Sequence, residues 1–338
     1  MPELALLVLV IAAAIGLGVV NGFNDAANAV AASVGSRSIS PRNAIILAAC
    51  CDFAGAATGL EVARTIGKGI LDPEIFYSLP KTASFLILVS ALATVIIWGT
   101  IATRLGLPVS ISHSLVTGMA AAGGAVVGWK TVVWGVLGRI GASVVVAPAL
   151  GFIGGFALMV ILLWAFRRSA PARMRIVFSR LQWLTTAFLA YSHGKNDGQM
   201  PIGIITSALV IYTERVELWN NIPFWVRVVS ALAISFGIAM GGWRVIKTVG
   251  IKITALQPIH GFATQASAAT VIEMASRLGI PVSTTHCATA ATMGVGATKR
   301  LSAVRWGVTR NIVLAWVLTF PISAALGWVI AALLKLAF

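Results

Sequence analysis

Charge is what this 338-residue chain has least of: only 10% of its residues are Asp, Glu, Lys or Arg, and just ten of them are acids. Soluble domains carry about 25% charged and about 45–50% apolar residues. With 58% hydrophobic residues and a mean hydropathy of +0.93, the chain falls outside that class. Cysteine is scarce too. Cys50, Cys51 and Cys287 are too few and too unevenly spaced for a disulfide framework or a zinc site, and their apolar surroundings make small buried hydrophobes the expectation. The 12 prolines are isolated and the 33 glycines show no period, which excludes collagen-like and disordered chains. What remains is an all-α polytopic membrane protein.

The formal charge of +15 would suggest a nucleic-acid partner in a soluble protein. Here the basic residues sit in short clusters between apolar runs, as in Arg167, Arg168, Arg173, Arg175 and Arg180, which is how membrane proteins fix their orientation. No basic stripe is interleaved with aromatics, so no nucleic-acid partner is expected. The stretch Leu4 to Val20 lacks a positive n-region and a cleavage pattern and reads as the first span, not as a signal peptide.

Apolar runs long enough to cross a bilayer, about 20 residues at 1.5 Å each, fall at 4–20, 43–61, 83–103, 176–191, 223–241 and 255–276. The stretches 131–166 and 303–338 are longer, are broken by Pro148 and Pro321, and read as two crossings each. Two more, 108–128 and 281–298, open with Pro-Val-Ser and carry Gly and hydroxyl residues, and read as re-entrant helical hairpins. The expectation is about ten transmembrane helices plus two hairpins.

The chain also repeats itself. Asn24-Asp25 returns as Asn196-Asp197, and Pro108-Val-Ser-x-Ser-His113 returns as Pro281-Val-Ser-x-Thr-His286. Trp134-Gly-Val and Pro148 recur as Trp306-Gly-Val and Pro321, and all four matches share one offset to within a single position. Five crossings per half is an odd number, so the second half is an inverted repeat of the first. The expected layout is a first repeat over 1–166, a basic cytoplasmic linker over 167–180 and a second repeat over 181–338. The linker's five Arg place it inside and both termini outside; Lys299, Arg300 and Arg305 count against this orientation.

Asn21-Gly-Phe-Asn24-Asp25-Ala-Ala-Asn28 interrupts an apolar span with three amides and a carboxylate. A charge at mid-helix costs about 2.5–3.5 kcal/mol on insertion scales, so something compensates it. Clustered oxygen ligands suit a weakly held hard cation such as Na⁺, and a lone carboxylate can alternatively take a proton. Ser192-His193-Gly-Lys195-Asn196-Asp197-Gly-Gln199 repeats the arrangement. A polar helix-packing cluster is the plainer alternative.

Ser110, Ser112 and His113 in the first Pro-Val-Ser segment, and Ser283, Thr284, Thr285 and His286 in the second, open helical turns with free N–H groups and hydroxyls. A half-helix N-terminus holds a dehydrated tetrahedral oxyanion without a salt bridge. Capping of a kinked helix by the same hydroxyls is the alternative. His113, His193 and His286 can donate to an anion, relay a proton or simply pack. Asp52 is read as a coupling or gating acid, Lys195 as the ion partner of a buried acid, and Glu61 and Glu273 as helix-end partners of Arg64 and Arg277. His260 stays unassigned.

These motifs resemble those of the inorganic phosphate transporter (PiT) family of cation–phosphate symporters, over about residues 4 to 330 and in the family's order. Gly22-Phe-Asn24-Asp25-Ala-Ala-Asn28, Ser192-His-Gly-Lys-Asn196-Asp197-Gly-Gln199 and Pro281-Val-Ser-Thr-Thr-His286 carry the likeness, and Gly241 to Gly250 is similar to bacterial members. The resemblance implies import of inorganic phosphate with Na⁺ or H⁺ by alternating access, at the cell inner (plasma) membrane. It implies phosphate binding by Ser110, Ser112, Ser283, Thr284 and Thr285, and cation binding or phosphate support by Asn24, Asp25, Asn28, Asn196, Asp197 and Gln199, with Asp52 as a further intramembrane acid. No cofactor and no metal beyond Na⁺ is expected; a homo-oligomer is compatible with it. The chain departs from the family at Met200-Pro201 and at Ser110-Ile-Ser112. A hydrolase built on Ser112, His113 and Asp25 is disfavoured, because adjacent Ser and His cannot aim at each other along a helix and an enzyme has no reason to duplicate the set. Sulfate transport and cation–proton antiport remain as alternatives.

Overall fold

The computed structural model describes residues 2–337. Its helices are α1 (Pro2–Gly35), α2 (Pro41–Thr58), α3 (Glu61–Lys68), α4 (Pro73–Ser78), α5 (Lys81–Leu105), α6 (Ile111–Val126) and α7 (Trp134–Ala165), then α8 (Pro171–Asp197), α9 (Gln199–Thr213), α10 (Phe224–Met240), α11 (Trp243–Lys247), α12 (Pro258–Arg277), α13 (Thr284–Ala297) and α14 (Trp306–Ala337). A π-helical turn, Thr248–Lys252, continues α11, and 3₁₀ turns at Trp129–Thr131 and Leu301–Ala303 precede α7 and α14.

The sequence repeat reappears in the elements. The starts of α6 and α13, the two 3₁₀ turns, and both ends of α7 and α14 are related by the same offset as the motifs. Packing partners recur as well: α6 lies on α14 while α13 lies on α7, and α10 lies on α1 while α2 lies on α8. At both of the latter crossings glycine lets backbones touch. A Cβ on Gly22 or Gly237 would strike the other's helix backbone in α10 or α1, and one on Gly194 or Gly55 would do the same between α8 and α2. Small residues at such crossings are the membrane way of packing helices.

Each half turns back on itself at its Pro-Val-Ser segment. Helix α5 ends with Leu107 N–H donating to Ala102 O (2.9 Å) and Gly106 N–H to Thr103 O (3.0 Å), and α12 with Ile280 N–H to Ala275 O and Gly279 N–H to Ser276 O (both 3.0 Å). This paired pattern needs a left-handed residue, and Gly106 (φ +73°) and Gly279 (φ +66°) supply it without a Cβ clash. The hairpins are therefore α5 with α6 and α12 with α13. The expectation of hairpins closed within 108–128 and 281–298 is corrected: each stretch is one helix, and the chain reverses at its leading edge.

The two-crossing reading of 131–166 and 303–338 is also corrected. α7 and α14 are each one helix of 32 residues that runs through Pro148 or Pro321. At 1.5 Å per residue, 32 residues reach about 48 Å, enough for one tilted crossing and too short for two of about 30 Å with a turn. Proline is tolerated inside a spanning helix when water, hydroxyls or neighbouring helices take up the freed carbonyl, which here is that of Val144 or Val317, four residues before each proline. Among the described residues four helices are long and apolar enough to cross a membrane, α1, α5, α7 and α14. Two bent pairs, α2 with α3 (69°) and α10 with α11 and its π turn (60°), raise that to six.

The surface is apolar. Val145, Ile153 and Ile161 of α7 and Val317, Val329 and Leu333 of α14 are exposed, a display that water does not support over so long a stripe and lipid does. Of the three cysteines only Cys287 is buried; Cys51 is half-buried and Cys50 lies on the exposed face of α2, because one side of that helix is turned outward. Polar residues are gathered inside. Asn21, Asn24, Asp25, Asp52, His193, Asn196 and Asp197 are all buried, between apolar clusters led by Leu17, Leu88 and Leu115 on one side and Val30, Ile45 and Ile253 on the other.

Candidate functional site

The buried polar cluster forms where the two hairpin tips meet α1 and α8. α1 passes through Asn24-Asp25 without a break, whereas α8 stops at Asp197 and α9 starts at Gln199. Pro201 explains the difference. It lacks an N–H and its ring displaces the carbonyl four residues earlier, which is that of Asp197. Asn21 Nδ2 donates to this freed carbonyl at 3.4 Å.

The two halves interlock through their side chains. Thr284 Oγ1 donates to Asp197 Oδ2 and Thr285 Oγ1 to Asp25 Oδ1, both at 2.7 Å, and Thr285 Oγ1 also lies 3.1 Å from Val109 O in the first hairpin tip. Asn28 Nδ2 donates to Thr285 Oγ1 (3.0 Å) and Thr284 Oγ1 (3.3 Å). The second tip is thus held by both Asn-Asp motifs.

The two asparagines preceding the acids are held alike. With its amide oxygen toward Thr103 Oγ1 (2.6 Å), Asn24 donates to Val109 O (3.2 Å) and Asp25 Oδ1 (3.0 Å). Asn196 accepts from Ser276 Oγ (2.9 Å) and donates to Val282 O and Asp197 Oδ1 (both 3.2 Å). Thr103 and Ser276, and Val109 and Val282, are repeat mates at the offset that relates Pro108 to Pro281.

His193 stands among three carboxylates. Its Nδ1 is 2.5 Å from Asp52 Oδ1, and its Nε2 is 3.2 Å from Asp197 Oδ2 and 3.6 Å from Asp25 Oδ2. Asp25, His193 and Asp197 offer ligand atoms within 4.8 Å of one another, the spacing a cation needs. Among the described residues, Asp52 joins the site only through His193.

Other expected residues sit at the edge or leave it. Ser110 and Ser283 cap α6 and α13, accepting from His113 N (3.2 Å) and His286 N (3.1 Å), so their oxygens are engaged while their hydroxyl protons stay available. Ser112 touches Ser110 at 3.2 Å. Gln199 turns away: its Oε1 accepts from Ala63 N of α3 (2.9 Å) and its Nε2 donates to Lys195 O. His113 and His286 face each other behind the tips, ring centres 5.1 Å apart, packed on Phe320 and Trp316, with no hydrogen-bond partner for any ring nitrogen among the described residues. Lys195 pairs with Glu273 (2.6 Å), which also accepts from Arg277 (2.8 Å). Glu61 does not pair with Arg64; it accepts from Leu60 N–H at the start of α3 (3.0 Å).

The model of the phosphate transporter family matches residues 21–327. The chain belongs to that family. It is 37% identical to a probable low-affinity inorganic phosphate transporter of Bacillus subtilis (strain 168), covering 99% of both chains. It is 39% identical to the protein of the same description in Rhizobium meliloti (strain 1021), over 94% of this chain and 93% of the other. Among solved structures, one described as the sodium-dependent phosphate transporter superposes with a TM-score of 0.91 at 30% identity, over 99% of this chain and 100% of that one. The protein is a transporter and not an enzyme.

Sequence reasoning on this transporter missed Thr103 and Ser276 as parts of the site, and counted Asn21 among the amides of the first motif without giving it a role. The first two are repeat mates and would have been found by extending the repeat search to single hydroxyls. Asn21 occupies in α1 the place that His193 has in α8, so the signal there was a difference between the halves.

Proposed function

We propose that this transporter imports inorganic phosphate by symport with Na⁺, alternating access around the Asp25–Asp197 centre. The observation that carries this reading is the pair of hydroxyl bonds from Thr284 and Thr285 to the two carboxylates. A hydroxyl has one proton to give. While Asp197 and Asp25 hold those protons, an arriving phosphate meets two buried negative charges and few donors. A cation drawing on the Asp25 and Asp197 oxygens, together with amide oxygens of the Asn-Asp motifs, neutralises the acids and releases both threonines. Thr284, Thr285, the hydroxyls of Ser110, Ser112 and Ser283 and the free N–H groups at the starts of α6 and α13 then face the anion. Cation and phosphate bind together because each alone is left with unpaired charge.

Oxygen donors at this centre, and the sodium dependence in the description of the structural relative, support Na⁺. A second reading, H⁺ coupling, is favoured by His193, which touches all three acids. Asp25 and Asp197 are 1% and 2% exposed, so the centre is reached only when the tips part. In each half α1 or its counterpart, the bent pair and the long last helix contribute three crossings, and an antiparallel hairpin adds none or two. The count is odd either way, which supports inverted repeats, the basic linker inside and the termini outside, in a multi-pass plasma-membrane protein.

Proteoliposomes containing the purified protein test this by uptake of radiolabelled phosphate under an inward Na⁺ gradient, an inward H⁺ gradient or neither, with excess sulfate as competitor. Accumulation driven by Na⁺ and indifferent to sulfate is expected. Accumulation under H⁺ alone selects the second reading, competition by sulfate widens the substrate, and no accumulation under either gradient overturns symport.

A further inference from the structure

At the end of the molecule that carries the basic linker, a cleft of about 640 Å³ opens between the ends of α1 and α7 and the starts of α8 and α12. Its lining is of two kinds. Arg37, Arg167 and Arg175 supply guanidinium groups, and Leu162, Leu163, Phe166 and Ile259 supply apolar surface. Arg167 is held in place, its guanidinium 4.5 Å from the Trp164 ring centre and donating to Trp164 O at 3.1 Å. Leu163, part of the lining, is 46% exposed, and no residue of the Asp25–Asp197 centre lines the cleft.

None of the three arginines has a carboxylate partner among the described residues. The sequence accounts for this. No acid occurs between Asp25 and Asp52, between Glu74 and Asp197, or between Glu217 and Glu273, and every segment lining the cleft falls in one of those gaps. The contrast is Lys81, which finds Glu214 at 2.7 Å and Glu3 at 3.9 Å. The charge of the cleft is left for an anion from outside the chain.

We propose that this cleft binds an anionic phospholipid, its headgroup phosphate among Arg37, Arg167 and Arg175 and an acyl chain along Leu162, Leu163 and Phe166. Guanidinium is the side chain best matched to phosphate, in both geometry and permanence of charge. Basic residues clustered where a spanning helix leaves the bilayer attract acidic lipids. Free phosphate shares the headgroup chemistry but has no use for the apolar wall. The inference concerns a surface apart from the transport centre and stands whether or not the coupling proposed above is correct.

Native mass spectrometry of the purified protein in neutral detergent, titrated with phosphatidylglycerol and with phosphatidylcholine of the same acyl chains, tests it. Phosphatidylglycerol is expected to bind at least about tenfold more tightly, and the R37Q/R167Q/R175Q variant to lose that preference. An R215Q/R227Q control is expected to keep it. Equal binding of the two lipids, full binding by the triple variant, or displacement of the lipid by millimolar inorganic phosphate would overturn the proposal. Should the triple variant melt early, single R175Q, an exposed position, carries the test with an expected loss of about threefold or more.

Discussion

At the scale of single residues, the centre is a matter of who holds a proton and who holds a charge. Asp25 and Asp197 are buried carboxylates whose principal donors are Thr285, Thr284 and His193. Replacing either acid by asparagine keeps its size and removes the charge that the proposed cation site needs. Asp25→Asn and Asp197→Asn are each expected to abolish uptake in proteoliposomes while inserting normally, and parent-level uptake by both would remove these acids from the cation site. The threonines separate two roles. Thr285→Ser keeps the donor and should transport at close to the parent rate. Thr285→Val removes it, leaving a buried carboxylate oxygen short of a bond at a cost of about 1–3 kcal/mol, and is expected to lose uptake at least about tenfold and to melt earlier in detergent. A Thr285→Val protein that melts early yet transports normally would make this hydroxyl structural only.

At the scale of elements, the glycine crossings fix how closely α1 meets α10 and α8 meets α2. Gly194 lies next to His193, and a Cβ there would press on the Asp52 carbonyl carbon at 2.8 Å and on Ala56 N at 3.0 Å. Alanine gains about 1 kcal/mol of helix propensity over glycine, but overpacking of a rigid backbone contact costs about 1–3 kcal/mol, and here it also pushes Asp52 from His193. Gly194→Ala is therefore expected to lower the melting temperature and to impair uptake, and Gly22→Ala, its counterpart on α1, to lower stability. Unchanged melting of both would mean that these helices separate freely. How much of this was legible beforehand follows from what each feature depends on. The Pro-Val-Ser tips and the Asn-Asp motifs were visible because they are local, polar and duplicated. The partner of each tip helix was not, since the reversing residues, Gly106 and Gly279, sit outside the apolar stretches that drew attention. Pro148 and Pro321 looked like breaks because proline ends helices in water, where no neighbour stands in for the lost bond. Gln199 looked like a match for Asn28, and only the fold shows it reaching Ala63 of α3, far away in sequence.

At the scale of the whole molecule, α6 packs on α14 and α13 on α7, so each hairpin rests on the long helix of the other half, and the alternating access proposed above is expected to slide one of these contacts. Ser114 Oγ of α6 and Ser323 Oγ of α14 are 2.8 Å apart and buried. The equivalent place in the second half is a close contact of Cys287 with Gly151, too tight for a second side chain. The serine pair is thus a place where one covalent bond reports on sliding. In a background with Cys50, Cys51 and Cys287 replaced by serine or alanine and active in uptake, a Ser114→Cys/Ser323→Cys pair is near enough for a disulfide. Oxidation is expected to stop phosphate accumulation and reduction to restore it, with each single cysteine indifferent to both treatments. If the disulfide forms to completion and uptake persists, α6 and α14 travel together, and access to Asp25 and Asp197 must come from the α12–α13 hairpin alone.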